Sequence, residues 1–428
     1  MAALLLTSMV WSGHAQEKNE MDLSGEWAFQ TDVMDFRRGS LDVRYCHRLQ
    51  ESIVLPGITD DYKIGYKSPY RHLDRLTRVY EYMGPAWYQR EIEIPAAWKG
   101  KRIFLYFERT HWLSSVYVGK EEVSKIDYIN IPHNHELTQW LHPGKKELIT
   151  FCIDNRYQYD THKWDHAHSE FTQINWNGVL GEIKLVAVDP VYVDDMQVYP
   201  DIKNKSIKVK MTVRNCTEHT ASGKISFHVS GKDYRLQKEV PVTVTDSITY
   251  IEEEMFLSKD IHLWNEFHPN LYTLDCKLTS SVEGQSYAHE KSTTFGMREV
   301  EAGEDHIILN GEPIHLRGTV ENAVFPKTGY APVDDASWER VLRILKEYGM
   351  NHMRFHSWCP PAAAFRMADK LGVYLEVEMP MWGKDAQPDE KRWNFFRREL
   401  RGILKEYGNH PSFILYCNGN EITGDFSF

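Results

Sequence analysis

The chain has 428 residues, too many for one ordinary core, so two or three domains are expected. Hydrophobic residues at 42% and charged residues at 26% describe a soluble globular protein, not a disordered or membrane-spanning one. A net charge of -11 without any cluster of Lys and Arg argues against nucleic acid as a partner, because neutralising phosphates requires such clusters. The aromatic content is 13%, with 13 Trp and 23 Tyr. Rings of this kind pack against the flat C–H faces of sugars as readily as they fill cores.

At the start, a short apolar run precedes Gly13-His14-Ala15, small residues at the positions a signal peptidase prefers. A signal peptide over residues 1–15 is therefore expected, and with it a secreted or periplasmic location. The Lys or Arg that usually precedes such a run is missing. No other segment is apolar and long enough to span a bilayer. The six cysteines, Cys46, Cys152, Cys216, Cys276, Cys359 and Cys417, are scattered without a CxxC pair. That spacing suggests buried free thiols, neither a zinc site nor a disulfide framework.

From about 20 to 189 short strands alternate with Gly, Pro and Asn turns. The period of two is clear at 102–108, 115–118, 147–153 and 182–188, which predicts an all-β sandwich. From 190 to 298 the strands become more evenly spaced and richer in Thr and Val, as at 206–213, 224–229 and 272–278. About 105 residues of this kind fit an immunoglobulin-like β-sandwich. The acidic run 252–254 reads as a solvated strand edge.

After residue 299 strand and helix alternate. Strands are predicted at 314–317, 350–355, 373–378 and 412–417, with helices at 335–348, 361–371 and 391–407. Short connections between alternating elements mean parallel strands and crossover helices. An eight-stranded barrel needs about 250 residues, and about 130 are present, so a partial TIM barrel over 299–428 is expected.

Three stretches of this last segment can carry chemistry. Residues 413–417 form an apolar strand that runs into Asn418-Gly419-Asn420-Glu421, which puts Glu421 just past its C-terminal end. Barrels of this kind keep their chemistry at that end. A carboxyl group there can protonate a leaving oxygen if a desolvated pocket raises its pKa. Asn420 can donate a hydrogen bond to a substrate hydroxyl. The competing reading is a turn with a solvated Glu. In the second stretch His352, Arg354 and His356 alternate, so all three should face one side of their strand. A core-facing Arg354 must be paired, most simply with a carboxylate, either at a catalytic centre or in a structural salt bridge. Each histidine reads equally as a satisfied core residue or a sugar contact. In the third stretch Glu376 and Glu378 share a face of an apolar strand. Glu378, nearer the C-terminal end, is the better site candidate, and Trp382 in the following loop can wall a sugar pocket or simply pack.

These stretches together resemble glycoside hydrolase family 2, the family of β-galactosidases, β-glucuronidases and β-mannosidases. Asn310-Gly311-Glu312-Pro313-Ile314-His315-Leu316-Arg317-Gly318 looks like the lead-in to its first barrel strand, and Asn418-Gly419-Asn420-Glu421 like its acid/base signature. Supporting pieces are Leu263-Trp264, 269–274, Phe295-Gly296-Met297-Arg298-Glu299 and 176–181, the last similar to the final turn of its jelly-roll sugar-binding domain. The resemblance implies a jelly roll, an immunoglobulin-like spacer and the first half of a (β/α)₈ barrel. It implies an exo-acting retaining β-glycosidase working on an oligosaccharide or polysaccharide. Galactose comes first as the terminal sugar, then glucuronic acid, then mannose.

By the same resemblance Glu421 is the acid/base, Asn420 contacts the sugar 2-hydroxyl, and Arg354 supports the environment of the nucleophile. Many members place a His three residues after this Arg, whereas His356 follows by two. Retaining enzymes hold their two carboxylates about 5–5.5 Å apart. The family's nucleophile, a Glu on the seventh strand, has no counterpart in this chain, so a fragment inactive by itself is expected. No cofactor motif and no metal ligand set appear, and an oligomer is compatible with the sequence. A rival from another class is a non-catalytic carbohydrate-binding protein built on the two sandwiches. A metal-dependent hydrolase using His352, His356 and Glu378 lacks the second layer of partners such a site needs.

Overall fold

The computed structural model describes residues 19–35, 48–161, 163–172, 174–383 and 389–423. The signal peptide read at 1–15 and Cys46 lie outside the described residues. No helix among them is long and apolar enough to cross a membrane.

Alternation in the first segment closes two antiparallel sheets on each other. Along Arg102–Thr110 every second side chain from Ile103 to Arg109 is buried, and the strand pairs with Gly178–Val188 and His133–Glu136. The opposing sheet contains Leu113–Val118, Lys146–Asp154 and Pro85–Glu93. Phe107 meets Phe151 between the sheets with ring centroids 4.8 Å apart. This face-to-face burial is what fixes register, since a slip by one residue would expose the whole apolar set.

The second sandwich has its own core. Val191–Asp201, Ser206–Asn215 and Ile248–Phe256 form one sheet; Tyr234–Val244, Ala221–Gly231, Tyr272–Val282 and Gln285–Phe295 form the other. The acidic run sits on Ile248–Phe256, an edge strand, with Glu252 in an exposed pair with Lys210 (3.0 Å). Most strands in both sandwiches extend a residue or more beyond the predicted spans. Cys152, Cys276 and Cys359 are buried free thiols, whereas Cys216 is exposed and Cys417 is half-buried.

The third segment opens with a correction. A strand was expected at 314–317, but Glu312–Ile314 instead turns back antiparallel on Ile307–Leu309. The cause is Asn310-Gly311, which takes φ of 56° and 83° and so makes a two-residue hairpin turn. The parallel sheet begins only at Gly318.

Its four strands, labelled from here, are β1 (Gly318–Glu321), β2 (His352–Phe355), β3 (Tyr374–Glu378) and β4 (Phe413–Cys417), in spatial order β1-β2-β3-β4 and all parallel. Helices α1 (Asp335–Glu347), α2 (Ala362–Leu371) and α3 (Glu390–Tyr407) connect them. Asp334 caps α1 by accepting from Ser337 N (2.8 Å), and Asp389 caps α3 by accepting from Lys391 N (3.0 Å). Pro361, the predicted first residue of α2, stands instead at its N-cap, and the helix begins one residue later at Ala362. The apolar stripe Trp338, Leu342 and Leu345 of α1 packs into a core with Phe365, Phe396 and the inward residues Met353 and Phe355 of β2.

Both sandwiches dock on this unit, at opposite ends of its strands. Near the start of β4, Arg298 of the second sandwich donates to the carbonyls of Pro411 (2.7 Å) and Phe413 (2.9 Å). Trp264 Nε1 donates to Asp369 O (2.9 Å) near the C-terminal end of α2. The first sandwich inserts Trp112, Ile129 and Ile131 into the helical core, and Ile129 N donates to Glu399 Oε1 of α3 (2.6 Å). Its loop at 163–172 reaches further, to the C-terminal ends of the strands, where His166 N donates to Ser357 Oγ (2.9 Å).

Candidate active site

The alternation read in the second stretch is realised on β2. Met353 and Phe355 enter the helical core, so Arg354 projects to the other face and His352 lies on the same side. Cross-strand register places Arg354 opposite Glu376 of β3. Its guanidinium then finds both acidic residues. Nε donates to Glu378 Oε1 (2.5 Å) and lies 3.7 Å from Glu376 Oε1, while Nη2 donates to Asn420 Oδ1 (3.0 Å). Glu378 is wholly buried, and its second oxygen accepts from Ser357 N (2.6 Å). Every strong group here has a charged or donor partner, which is what a low-dielectric site requires. The expectation that Arg354 sits at a carboxylate is met with Glu378 and Glu376. No direct bond to Glu421 is formed, because the β3 carboxylates face Arg354 in register first.

Burial raises the Glu376 carboxyl above its ordinary range, opposed by Arg354 and reinforced by Glu378. His352, with Nε2 3.6 Å from Glu376 Oε2, is pushed down to about 4 by burial and by Arg354. His356 is lowered by burial, with Glu378 pulling the other way. It lies one residue past the end of β2 and so leaves the strict alternation, yet its ring still meets Trp382 (4.6 Å between centroids).

The loops that follow β3 and β4 are laced together. Asn420 N donates to Met381 O (2.9 Å), Gly383 N to Asn420 O (3.3 Å), and Trp382 and Asn420 form a parallel bridge. Gly419 is needed for this approach: at φ 129°, a Cβ there would stand 2.5 Å from the Met381 carbonyl oxygen. The lacing holds Asn420, 9% exposed, against Arg354 and turns Glu421 to φ 47° at the rim. Trp382 Nε1 donates to Glu421 Oε2 (2.9 Å). Glu421 is exposed. The desolvated pocket anticipated around it is therefore not formed by the described residues; the indole alone is bonded to it.

Three residues of this rim escaped the sequence. His166, from the first sandwich, stacks on Trp382 (5.5 Å, 25° between planes) and meets His356 edge-on (4.9 Å). Burial and the neighbouring His356 push its imidazole down to about 3. Trp164 lies 6.1 Å from Trp382. Glu321 ends β1, accepts from Ala323 N (2.8 Å), and is pushed up to about 7 by burial. A correct start for β1 would have flagged Glu321 as a strand-end carboxylate. Nothing local marks a loop residue more than two hundred positions away as a partner of Trp382.

Glu376, Glu378 and Cys417 bring ligand atoms within 4.8 Å of one another. The Arg354 guanidinium already occupies that acidic cluster as its cation, so the set is better suited to holding Arg354 than a metal. Chemically, the rim offers a solvent-facing carboxyl on an indole donor, beside a neutral imidazole pair and an asparagine amide anchored by the half-buried Arg354 on its buried carboxylate partner. A carboxyl so placed can exchange protons with a substrate oxygen, and the amide can fix a neighbouring hydroxyl.

Residues 191–298 match the model of the family Glycosyl hydrolases family 2. Among curated proteins, the chain is 23% identical to a beta-galactosidase of Thermoanaerobacter pseudethanolicus over 81% of its own length and 46% of that protein. It is 21% identical to the beta-glucuronidase of Sus scrofa over 98% of its length and 66% of that protein. Bacteroides uniformis beta-glucuronidase 2 shares the fold with a TM-score of 0.74 at 19% identity, over 93% of this chain and 47% of that one. The chain thus spans about half to two thirds of the length of these relatives. With two sandwiches and a parallel α/β unit in one order, the chain shares the fold of that structure, and its second sandwich, residues 191–298, carries the match to glycoside hydrolase family 2.

Proposed function

We propose that the four-stranded parallel unit is the first half of a (β/α)₈ barrel and bears the acid/base side of an exo-acting, retaining β-glycosidase site. Glu421 protonates the glycosidic oxygen and later deprotonates the attacking water, and Asn420 holds the 2-hydroxyl of the terminal sugar. Arg354 acts at one remove, fixing Asn420 and Glu378 against each other. The single observation that carries this reading is the Glu378–Arg354–Asn420 chain at the C-terminal ends of β2, β3 and β4, with Glu421 next to it. A pure sugar-binding sandwich has no use for an Arg held on a buried carboxylate there.

The second carboxylate of the reaction lies beyond these residues in this reading, so residues 1–428 alone bind sugar without turnover. Covalent attachment of a cyclophellitol-6-carboxylate aziridine to the Bacteroides uniformis enzyme supports a covalent glycosyl-enzyme. A terminal β-galactoside and a terminal β-glucuronide have equal support among the relatives. A secreted or periplasmic location is part of the proposal and rests on the apolar start of the chain.

The test uses the gene product that contains residues 1–428 and aryl β-galactosides and β-glucuronides of graded leaving-group acidity. Glu421→Gln is expected to lower kcat/KM by about 10²–10⁴-fold for poor leaving groups, and much less for acidic phenols that depart unaided. Undiminished turnover of the poor leaving groups in that variant removes Glu421 from its role.

A further inference from the structure

The first sandwich reaches the rim through one loop, and that loop carries more than His166. Moving outward from Glu421, the rings run Trp382, Trp164 and Phe171, with centroids 6.1 Å and then 5.9 Å apart. Trp164 is 38% exposed and Phe171 42%, so neither ring is spent on core packing. Lys163 Nζ lies 5.0 Å from the Trp164 centroid and 5.7 Å from that of Phe171, and Arg75 Cζ lies 5.4 Å from Phe171. Neighbouring carboxylates are already engaged: Glu170 pairs with Arg78 (2.9 Å), and Asp165 accepts from Thr161 Oγ1 (2.9 Å). Among the described residues no carboxylate lies within ion-pair distance of Lys163.

A general acid stands at the oxygen that joins the two sugars. Whatever lies immediately outside the acid therefore meets the departing part of the substrate, not the terminal sugar. We propose that Lys163, Trp164 and Phe171 form the subsite for the departing sugar, and that this sugar carries an anionic group such as a uronate or a sulfate. The inference rests on Glu421 being the acid. Exposed indole and phenyl edges take the apolar faces of the ring. The unpaired ammonium selects the acidic substituent; on a rim this selection is a modest, salt-sensitive effect.

The experiment is calorimetric titration of the full 428-residue chain with four disaccharides, galactosyl or glucuronosyl at the non-reducing end, each β-linked to glucose or to glucuronic acid. Acid-terminated acceptors should bind about fivefold tighter than neutral ones at low salt. Trp164→Ala should weaken all bound disaccharides about tenfold, and Lys163→Met should abolish only the preference for the acid. Both side chains are exposed, so melting temperatures should be unchanged. Binding that requires Asn420, by its loss in Asn420→Ala, yet ignores Trp164 and Lys163 sinks the subsite and spares the glycosidase reading. Binding that requires Trp164 and Lys163 but ignores Asn420 overturns the glycosidase reading and, with it, the assignment of this patch to a departing sugar. No binding of any of the four overturns both.

Discussion

The inner cluster around Arg354 and the outer rim around Glu421 lie side by side and obey opposite rules. Inside, Glu378 has no exposure and both of its oxygens are bonded, one to a guanidinium and one to a backbone N–H. Outside, Glu421 has one indole partner and open solvent. The first arrangement tolerates no loss, because a removed partner strands a charge in low dielectric. The second costs the fold little and leaves a carboxyl open to solvent. In the proposed reading stability is concentrated beneath the acid, so substitutions at neighbouring positions should part company sharply.

The largest effect on folding should come from Glu378→Ala. It leaves Arg354 without its main partner and should cost about 3–5 kcal/mol in urea denaturation; a loss below about 1 kcal/mol would mean the pair is solvated. Next is Glu399, fully buried under Ile129 N and pushed up to about 7. A carboxyl whose folded pKa exceeds its unfolded value near 4.5 stabilises fully below about 4.5, and that contribution is lost as pH rises through 7. Glu399→Gln, which cannot ionise, should be nearly neutral at pH 5 and more stable than the parent by about 3 kcal/mol at pH 8. Equal stability differences at the two pH values would contradict the buried titration.

On the rim the numbers shrink. Trp382→Phe keeps a ring against His166 and His356 but removes the donor to Glu421, and should cost about 1 kcal/mol. Smallest of all, Glu421→Gln should alter stability by less than about 0.5 kcal/mol while disabling proton transfer. A large fall in melting temperature for that variant would show Glu421 to be part of the scaffold and erase the contrast.

Legibility in the sequence followed the same division. Periods of two and of three to four residues exposed the sandwich strands and the helices because each element buries one face. The alternation of His352 and Arg354 and the apolar run into Asn420-Glu421 placed most of the site for the same reason. The first parallel strand was misplaced, since the Asn310-Gly311 turn spent the preceding residues on a hairpin, and Glu321 was hidden with it. The wall made by Trp164 and His166 left no trace, for a contact such as His166 N to Ser357 Oγ is made by docking two separate cores. The expected pocket around Glu421 also failed to follow from strand order alone, because enclosure depends on what lies beside β4.

That docking has an evolutionary corollary. The residues that would break a bond and those that would choose the departing group are folded by different cores and joined at a seam. Drift in the loop of the first sandwich can then retune which glycans are processed while the proton-handling residues stay untouched, and recombination at the seam could exchange one preference for another in a single step.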